Sequence, residues 1–403
     1  MQVEVRDSDA ILGMRPQLAF APASIEECAA TMAYTARKQL QIGFIGGGTA
    51  LDLGPAPNGL DAVVRTERLT RIVEHVPADM VVVVEAGVTL GALQAALAAH
   101  GQRLALDPPW PERATIGGLV ATGAFGPRRA RYGAIRDLII GVTLVLADGT
   151  VARGGGKVVK NVAGFDLPKI ACGSLGTLAM IATASFRLHP LTERTATVLA
   201  PSLRAEQVFA IIKALRDAQL EPTSAVALGT SERGRFDLGI RFEGFRRGVE
   251  RQVELMIDLA AASVGRPEPL SDDAAAAFWR RHDAVRTGGP LRIRASCLPS
   301  QVPTLGERAS ELGDSAWYAT LGIGFVAGAV SDVAAAAASV TATRDAFERA
   351  GGSLVVETAP PELRAAVEPW GTVPAPAFKL MQQLKLRFDQ EQRLNAGRFI
   401  GGL

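Results

Sequence analysis

Three consecutive glycines and a threonine, Gly46 to Thr49, follow the apolar run Ile42–Ile45 and are well suited to hold a ligand. Because glycine has no Cβ atom, the backbone here can take positive φ angles and approach a ligand closely. Successive N–H groups in such a turn form a concave site for an anion, usually a phosphate. The hydroxyl group of Thr49 adds one more donor. The loop alone is a weak signal, so a tight structural turn stands beside the phosphate site as an alternative.

The residues after this loop exclude the two common nucleotide-binding loops. A Walker loop would end in Gly-Lys-Ser/Thr, and the dinucleotide fingerprint of a Rossmann protein opens a helix. Here Leu51-Asp52-Leu53-Gly54-Pro55 follows, and its glycine and proline cannot continue a helix. A nicotinamide-binding Rossmann domain is therefore not expected.

Composition indicates an ordinary soluble protein of two domains. The chain has 403 residues, of which 48% are hydrophobic and 21% charged. With 43 basic and 41 acidic residues the net charge is +2, which gives no reason to expect nucleic-acid binding. The three cysteines have no metal spacing and their odd number argues against a disulfide framework, so we expect no metal site and a reducing compartment.

Two features predict a cytoplasmic protein. Acidic Glu4, Asp7 and Asp9 do not fit the basic start of a signal peptide. The most apolar stretch, from Ala319 to Val330, has about 12 residues where a membrane-spanning helix needs about 20. Any contact with the inner face of the membrane is expected to come through partners.

The elements around the glycine loop read as mixed helix and sheet. Ser24 and Glu27 form a capping box that starts a helix, and the run from Met80 to Gly87 is β-branched like a buried strand. The segment from Asp107 to Asp137 is expected to have little regular structure and, at this length, to be functional. After about residue 191 helices and strands alternate regularly, which is typical of an α+β sheet.

Four further glycine-bearing motifs follow the loop in order, and together they are far more specific than any one of them. They are Ala114-Thr115-Ile116-Gly117-Gly118, Arg131-Tyr132-Gly133, Lys160-Asn161-Val162-Ala163-Gly164-Phe165-Asp166-Leu167 and Gly173-Ser174-Leu175-Gly176-Thr177-Leu178. In this arrangement the chain resembles the FAD-binding domain of the vanillyl-alcohol oxidase/PCMH-type flavoprotein family. In that family two small α/β subdomains sandwich FAD, with its pyrophosphate on the glycine loop.

Finer features resemble one branch of that family, the smaller FAD-binding subunit of glycolate oxidase. They are Leu175, where the commonest family form has Glu, the run from Lys157 to Gly164, and the terminal motif from Gly397 to Gly402. The resemblance implies an α+β fold: an FAD-binding domain over residues 1–191 and an α+β cap with an antiparallel sheet over 192–373. Residues 374–403 would form a helix and tail that return to the FAD domain.

The resemblance also implies a set of cofactor-binding residues. Backbone amides of the glycine loop would hold the diphosphate, and small residues would form a flat slot for the ring. The set is Gly46, Gly47, Gly48, Thr49, Pro108, Thr115, Ile116, Gly117, Gly118, Thr122, Gly123, Tyr132, Gly133, Gly176 and Thr177.

The candidates for catalysis are few. Lys160 and Asn161 are expected beside the flavin, with a solvated turn as the alternative. Arg294 on a predicted strand would hold a carboxylate, with a strand residue that faces solvent as the alternative. Oxidising a 2-hydroxy acid also needs a base. His282 is expected at the surface or between domains. Related D-2-hydroxy-acid dehydrogenases have a larger cap with a histidine-bearing metal motif, which this sequence lacks.

The predicted function is therefore that of an FAD-dependent oxidoreductase subunit acting on CH–OH donors. By resemblance it would assemble with a catalytic flavoprotein subunit and an iron–sulfur subunit to oxidise glycolate to glyoxylate. The alternatives are a free-standing FAD dehydrogenase of another 2-hydroxy acid or alcohol, and a scaffold subunit whose flavin site has lapsed.

We predict that the flavin is bound non-covalently. Some relatives attach it through His or Cys in the glycine loop or in the ring loop, whereas here Thr49-Ala50 stands in the first and the second has neither residue. Acid precipitation of the purified yellow protein should release the colour into the supernatant. Colour that stays in the pellet would show a covalent link.

Overall fold

The computed structural model describes residues 2–156, 165–229 and 234–403. The helices are α1 (Ile25–Arg37), α2 (Leu90–Ala98), α3 (Ile116–Thr122), α4 (Arg129–Tyr132), α5 (Ile135–Leu138), α6 (Leu167–Ala171), α7 (Ala205–Asp217), α8 (Arg246–Val264), α9 (Asp272–Thr287), α10 (Val302–Ser310), α11 (Val333–Arg349), α12 (Pro361–Ala366) and α13 (Ala375–Phe388). The strands are β1 (Gln2–Val3), β2 (Leu18–Phe20), β3 (Ile42–Ile45), β4 (Ala62–Arg65), β5 (Ile72–Val76), β6 (Val81–Glu85), β7 (Gln102–Arg103), β8 (Ile139–Val145), β9 (Val151–Gly155), β10 (Met180–Arg187), β11 (His189–Pro190), β12 (Arg194–Arg204), β13 (Ser224–Gly229), β14 (Arg235–Gly244), β15 (Glu268–Pro269), β16 (Leu291–Ser296), β17 (Asp314–Tyr318), β18 (Ile323–Gly328) and β19 (Ser353–Thr358). Of these helices, none is both long and apolar enough to cross a bilayer.

The chain divides into two compact units. The first unit contains Met1–Gly126, Gly133–Leu191 and the C-terminal Val373–Leu403. The second unit contains Thr192–Thr372 together with the short segment Pro127–Tyr132. The two ends of the chain thus belong to the same unit.

The first unit has two main sheets, and one of its apolar cores contains residues of both. In the smaller one β2, β4 and β3 run parallel and β1 pairs antiparallel at the edge. The larger sheet is antiparallel, in the order β5-β6-β10-β8-β9. Strand β6 is mostly buried, as its β-branched run predicts. The expected fold class, α/β subdomains with an α+β antiparallel-sheet region, is confirmed.

The expectation of little regular structure between Asp107 and Asp137 is wrong for its centre, where α3 forms. Thr115 caps this helix by accepting a hydrogen bond from the Gly118 amide at 3.4 Å, and Gly123 ends it with a φ of +62°. Two glycines inside the segment hide the helical pattern from sequence. The helix forms because Leu119 and other apolar side chains on it are buried against the larger sheet's core.

The second unit is built on one eight-stranded antiparallel sheet, in the order β15-β12-β14-β13-β17-β18-β16-β19. Consecutive residues of a strand point to opposite faces of the sheet. On one face Trp317 stacks on Phe347 of α11, with ring centroids 6.3 Å apart. On the other face Tyr318 meets His282 of α9. The face with Tyr318 therefore combines buried polar groups with aromatic ones, since the ring of Phe325 lies 5.2 Å from that of Tyr318, centroid to centroid.

We predict that Gly324→Ala destabilises the second unit. A Cβ atom at this position would lie 2.5 Å from Cη2 of Trp317, which is fully buried and stacked, so the ring has no room to move. Overpacking of this kind costs about 1–3 kcal/mol of unfolding free energy. Urea denaturation would measure the loss.

Gly248→Ala in α8 is the matched control, because a Cβ atom there meets nothing within 4 Å. Alanine favours a helix by up to about 1 kcal/mol over glycine, so this variant should be as stable as the wild type or more so. Equal stability of the wild type and Gly324→Ala would contradict the packing described here.

Candidate functional site

A cleft in the first unit is the strongest candidate for a functional site. It encloses about 840 Å³, including its open mouth, within the size range of small-molecule sites. Its walls come from the glycine loop after β3, the start of α3, the segment around Leu175 and Gly176, and the C-terminal residues Asn395 and Arg398. Most of the lining side chains are small or apolar.

The glycine loop keeps its backbone donors free within the described residues. The amides of Gly46, Gly47, Gly48 and Thr49 donate no hydrogen bond to any atom of that part of the chain. Gly48 has a φ of +69°, which a residue with a side chain adopts only under strain. Amides arranged in this way form a concavity suited to a phosphate. The loop therefore fits a bound diphosphate.

Glycine is required in this loop because the backbone opposite lies in contact with it. A Cβ atom on Gly47 would overlap the carbonyl oxygen of Arg113, and one on Gly46 would overlap the hydroxyl of Thr115. Neither a carbonyl nor a helix-capping hydroxyl can move away cheaply. The two segments thus form one rigid edge of the cleft.

The start of α3 is fixed by hydrogen bonds to the end of the β6 region. The amide of Ile116 donates to the Val88 carbonyl and that of Gly117 to the Ala86 carbonyl, each at 2.8 Å. Thr122 lines the cleft, but its hydroxyl donates to the Gly118 carbonyl at 2.8 Å. Thr122 therefore offers a ligand only the remaining lone pairs of that hydroxyl.

The opposite wall is a turn with two unusual backbone conformations. Leu175 has a φ of +52° and Gly176 one of +68°. The Leu175 amide donates to the Ala121 carbonyl at 2.7 Å, which joins this turn to α3. Burial raises the pKa of the neighbouring Cys172 thiol to about 12, so Cys172 is an uncharged thiol at neutral pH.

A buried lysine on α13 supports this turn from behind. The Lys385 ammonium donates to the Thr177 carbonyl at 2.8 Å, to the Leu394 carbonyl at 3.0 Å and to Asp389 Oδ2 at 2.7 Å. Burial lowers the pKa of Lys385, and the charge of Asp389 acts in the opposite direction. Sequence reasoning missed this contact because it joins residues 208 positions apart.

The predicted cofactor-binding residues fall into two groups. Those that line the cleft are Gly46, Gly47, Gly48, Thr49, Thr115, Gly117, Gly118, Thr122 and Gly176. Those that are not part of its lining are Pro108, Ile116, Gly123, Tyr132, Gly133 and Thr177. Ile116 and Thr177 are buried, and Tyr132 belongs to the second unit. The predicted Lys160 and Asn161 lie outside the described residues.

The second unit holds a separate polar cluster under α9. Of the two positions expected for His282, the surface and the region between domains, the surface is wrong, because the residue is 3% exposed. Its Nε2 atom is 2.9 Å from the Tyr318 hydroxyl, which also accepts a hydrogen bond from Arg286. Sheet register places the predicted Arg294 on the same face, in an ion pair with Glu357 at 3.5 Å.

Comparison with known sequences finds proteins similar to the part of the chain around the glycine loop. The family described as "FAD binding domain" matches residues 16–155. The chain is 40% identical to a D-lactate dehydrogenase of Archaeoglobus fulgidus over 181 residues, 44% of this chain and 40% of that protein. It is 29% identical to the glycolate oxidase subunit GlcE of Escherichia coli over 356 residues, 87% of this chain and 90% of that subunit. The chain thus spans less than half of the archaeal relative.

Comparison with solved structures supports the fold alone. An alkyldihydroxyacetonephosphate synthase superposes with a TM-score of 0.71 at 17% sequence identity. The match covers 94% of this chain and 77% of the synthase. The fold described above is therefore shared with that synthase.

We predict that Gly47→Ala weakens FAD binding by about 10- to 100-fold. The added methyl group would overlap the Arg113 carbonyl oxygen and push the loop amides out of position. A hydrogen bond to a charged group contributes about 1.5–3 kcal/mol, and the loss of one such bond to the diphosphate gives a change in affinity of this size. Titration of FAD by calorimetry measures the dissociation constant, and Gly248→Ala should bind like the wild type. Unchanged affinity in Gly47→Ala would exclude the loop as the diphosphate site.

Proposed function

Because this chain carries an FAD binding domain in residues 16–155, we propose that it is the FAD-binding subunit of a glycolate oxidase-type complex. In this proposal the complex oxidises glycolate to glyoxylate, and its partners are a catalytic flavoprotein subunit and an iron–sulfur subunit. The observation that carries the proposal is the similarity to the E. coli subunit along 90% of that protein's length. The proposed location is the cytoplasm, with contact to the membrane's inner face through the partners.

The cleft supplies the groups that such a cofactor needs. The free amides of Gly46 to Thr49 would hold the diphosphate, and the small residues of α3, Gly117 and Gly118, would border the flat ring. The chemistry that FAD supplies when bound is acceptance of two electrons from the alcohol carbon of the substrate. The chain's own residues bind and orient the cofactor and shield it from water.

The composition of the cleft supports the need for a partner. Removing hydride equivalents from a hydroxy acid requires a base for the hydroxyl proton. The described residues that line the cleft include no His, Asp, Glu or Lys, so none of them would accept this proton near neutral pH. In the proposed complex another subunit provides the base.

A second candidate function is that of a free-standing FAD dehydrogenase of another 2-hydroxy acid. The cluster of His282, Tyr318 and Arg286 favours it, because it combines an imidazole with a cation suited to a carboxylate. The match to the archaeal D-lactate dehydrogenase also supports this candidate.

We expect the purified chain alone to bind FAD but to turn over glycolate at least about 100-fold more slowly than the assembled complex, the scale set by a missing general base. A tagged chain would be purified alone and after co-expression with the catalytic flavoprotein subunit and the iron–sulfur subunit of the proposed complex. Reduction of a dye acceptor would be measured with glycolate, D-lactate and D-2-hydroxyglutarate.

Rapid dye reduction by the isolated chain with any of these acids would favour the second candidate and count against the subunit role. Co-purification of a flavoprotein and an iron–sulfur protein would support the subunit role. A purified chain with no flavin absorbance and no affinity for added FAD would contradict both functions.

A further inference from the structure

The last part of the chain forms three sets of contacts around the cofactor cleft, and we call residues 385–398 the C-terminal clasp. Lys385 supports the turn at Thr177, as described above. The side-chain amide of Asn395 donates to the Leu175 carbonyl at 2.6 Å, and the backbone amide of Asn395 donates to the Ile42 carbonyl at 2.8 Å. The clasp thus reaches the wall of the cleft and the strand that leads into the glycine loop.

Arg398 makes the third set of contacts, to the segment directly after the glycine loop. Its guanidinium donates to the carbonyls of Leu51 at 2.7 Å, Leu53 at 2.9 Å and Pro55 at 3.2 Å. The turn that brings it there depends on Gly397, which has a φ of +85°. A side chain at this position would also overlap Asn58. Arg398 is only 6% exposed.

Arg398 brings a positive charge to the cleft that the glycine loop also lines. Among the described residues that line the cleft, Arg398 has the one charged side chain. The carbonyls of Leu51, Leu53 and Pro55 carry partial negative charges, which would oppose an anion beside them. A guanidinium remains charged when buried, since its pKa is far above neutrality, and its fork holds several oxygens at once.

We propose that Arg398 is a positioning residue of the cofactor site. It donates hydrogen bonds to the carbonyls of the segment after the glycine loop and so holds that segment in place. It also supplies the positive charge that balances a bound diphosphate. The inference rests on the proposed function only in taking FAD as the ligand. It makes Arg398 part of the cofactor site, although the "FAD binding domain" match ends at residue 155.

The test compares two ligands on the purified full chain. For Arg398→Met the dissociation constant of FAD should rise at least about tenfold, which corresponds to about 1.4 kcal/mol. The dissociation constant of riboflavin, which has no diphosphate, should change much less. A merely structural role would weaken both ligands equally, and that result would overturn the proposal.

Arg393→Met is the matched control. Arg393 lies in the same clasp, is 3% exposed and donates to the backbone carbonyls of Leu40 and Ala147, but it does not line the cleft. It should lose stability to a similar degree while each folded molecule binds FAD with wild-type affinity. Equal losses of FAD affinity in both variants would overturn the proposal.

Salt dependence gives a second measurement, which also serves if Arg398→Met does not fold. The Debye length falls from about 30 Å at 0.01 M to about 3 Å at 1 M ionic strength, so an attraction between charges weakens across this range. Arg398→Lys keeps the charge and should retain the wild-type salt dependence of FAD affinity. Loss of that dependence in Arg398→Lys would overturn the proposal.

These outcomes separate the proposal from the proposed function. A wild-type chain that binds FAD, with an Arg398→Met variant that binds it equally well, would overturn the role of Arg398 and leave the flavin function standing. A wild-type chain that does not bind FAD would overturn both.

Discussion

The cleft of the first unit depends on backbone donors, the amides of the glycine loop, that have no hydrogen-bond partner in the described part of the chain. Amides of the glycine loop meet no acceptor among the described residues. An unpaired polar group costs free energy where water is excluded, about 1–3 kcal/mol when it is buried. The cost is tolerable here because the cleft is open at its mouth, where solvent or a ligand can reach the loop. The loop is thus arranged for an anion, and Gly46 and Gly47 are the residues that let it lie against Arg113 and Thr115.

The walls of that cleft have a matching excess of acceptors, and the end of the chain satisfies them. The carbonyls of Leu51, Leu53, Leu175 and Thr177 receive their hydrogen bonds from side chains of the C-terminal clasp. The glycine-loop amides on one side of the cleft therefore remain available to a ligand. The carbonyls around the cleft are already hydrogen-bonded to clasp side chains, so they do not compete with the ligand for those amides. An anion gains from both arrangements, since it meets free N–H groups and few facing oxygens.

Local patterns predicted the parts of this fold that depend on neighbours in sequence. The glycine loop, buried strand β6 and helix α1 follow from φ freedom, β-branched runs and the Ser24–Glu27 capping box, and the structure has all three. Helix α3 escaped prediction because two glycines mask its period, although Thr115 and Gly123 are a usable start and stop signal. The clasp contacts could not be predicted as hydrogen bonds, because Arg398 and Pro55 are 343 residues apart. No local period reports on such a pair.

One face of the sheet in the second unit carries a buried polar network that needs a separate explanation. The face that carries Trp317 already has a large apolar core, so folding does not require a polar layer on the other face. Yet His282, Arg286 and Tyr318 are buried there and bonded to one another. Buried polar networks stabilise a fold less than apolar packing of the same volume. What the network adds is a fixed position for α9, since His282 and Arg286 on this helix both bond to the Tyr318 hydroxyl of β17.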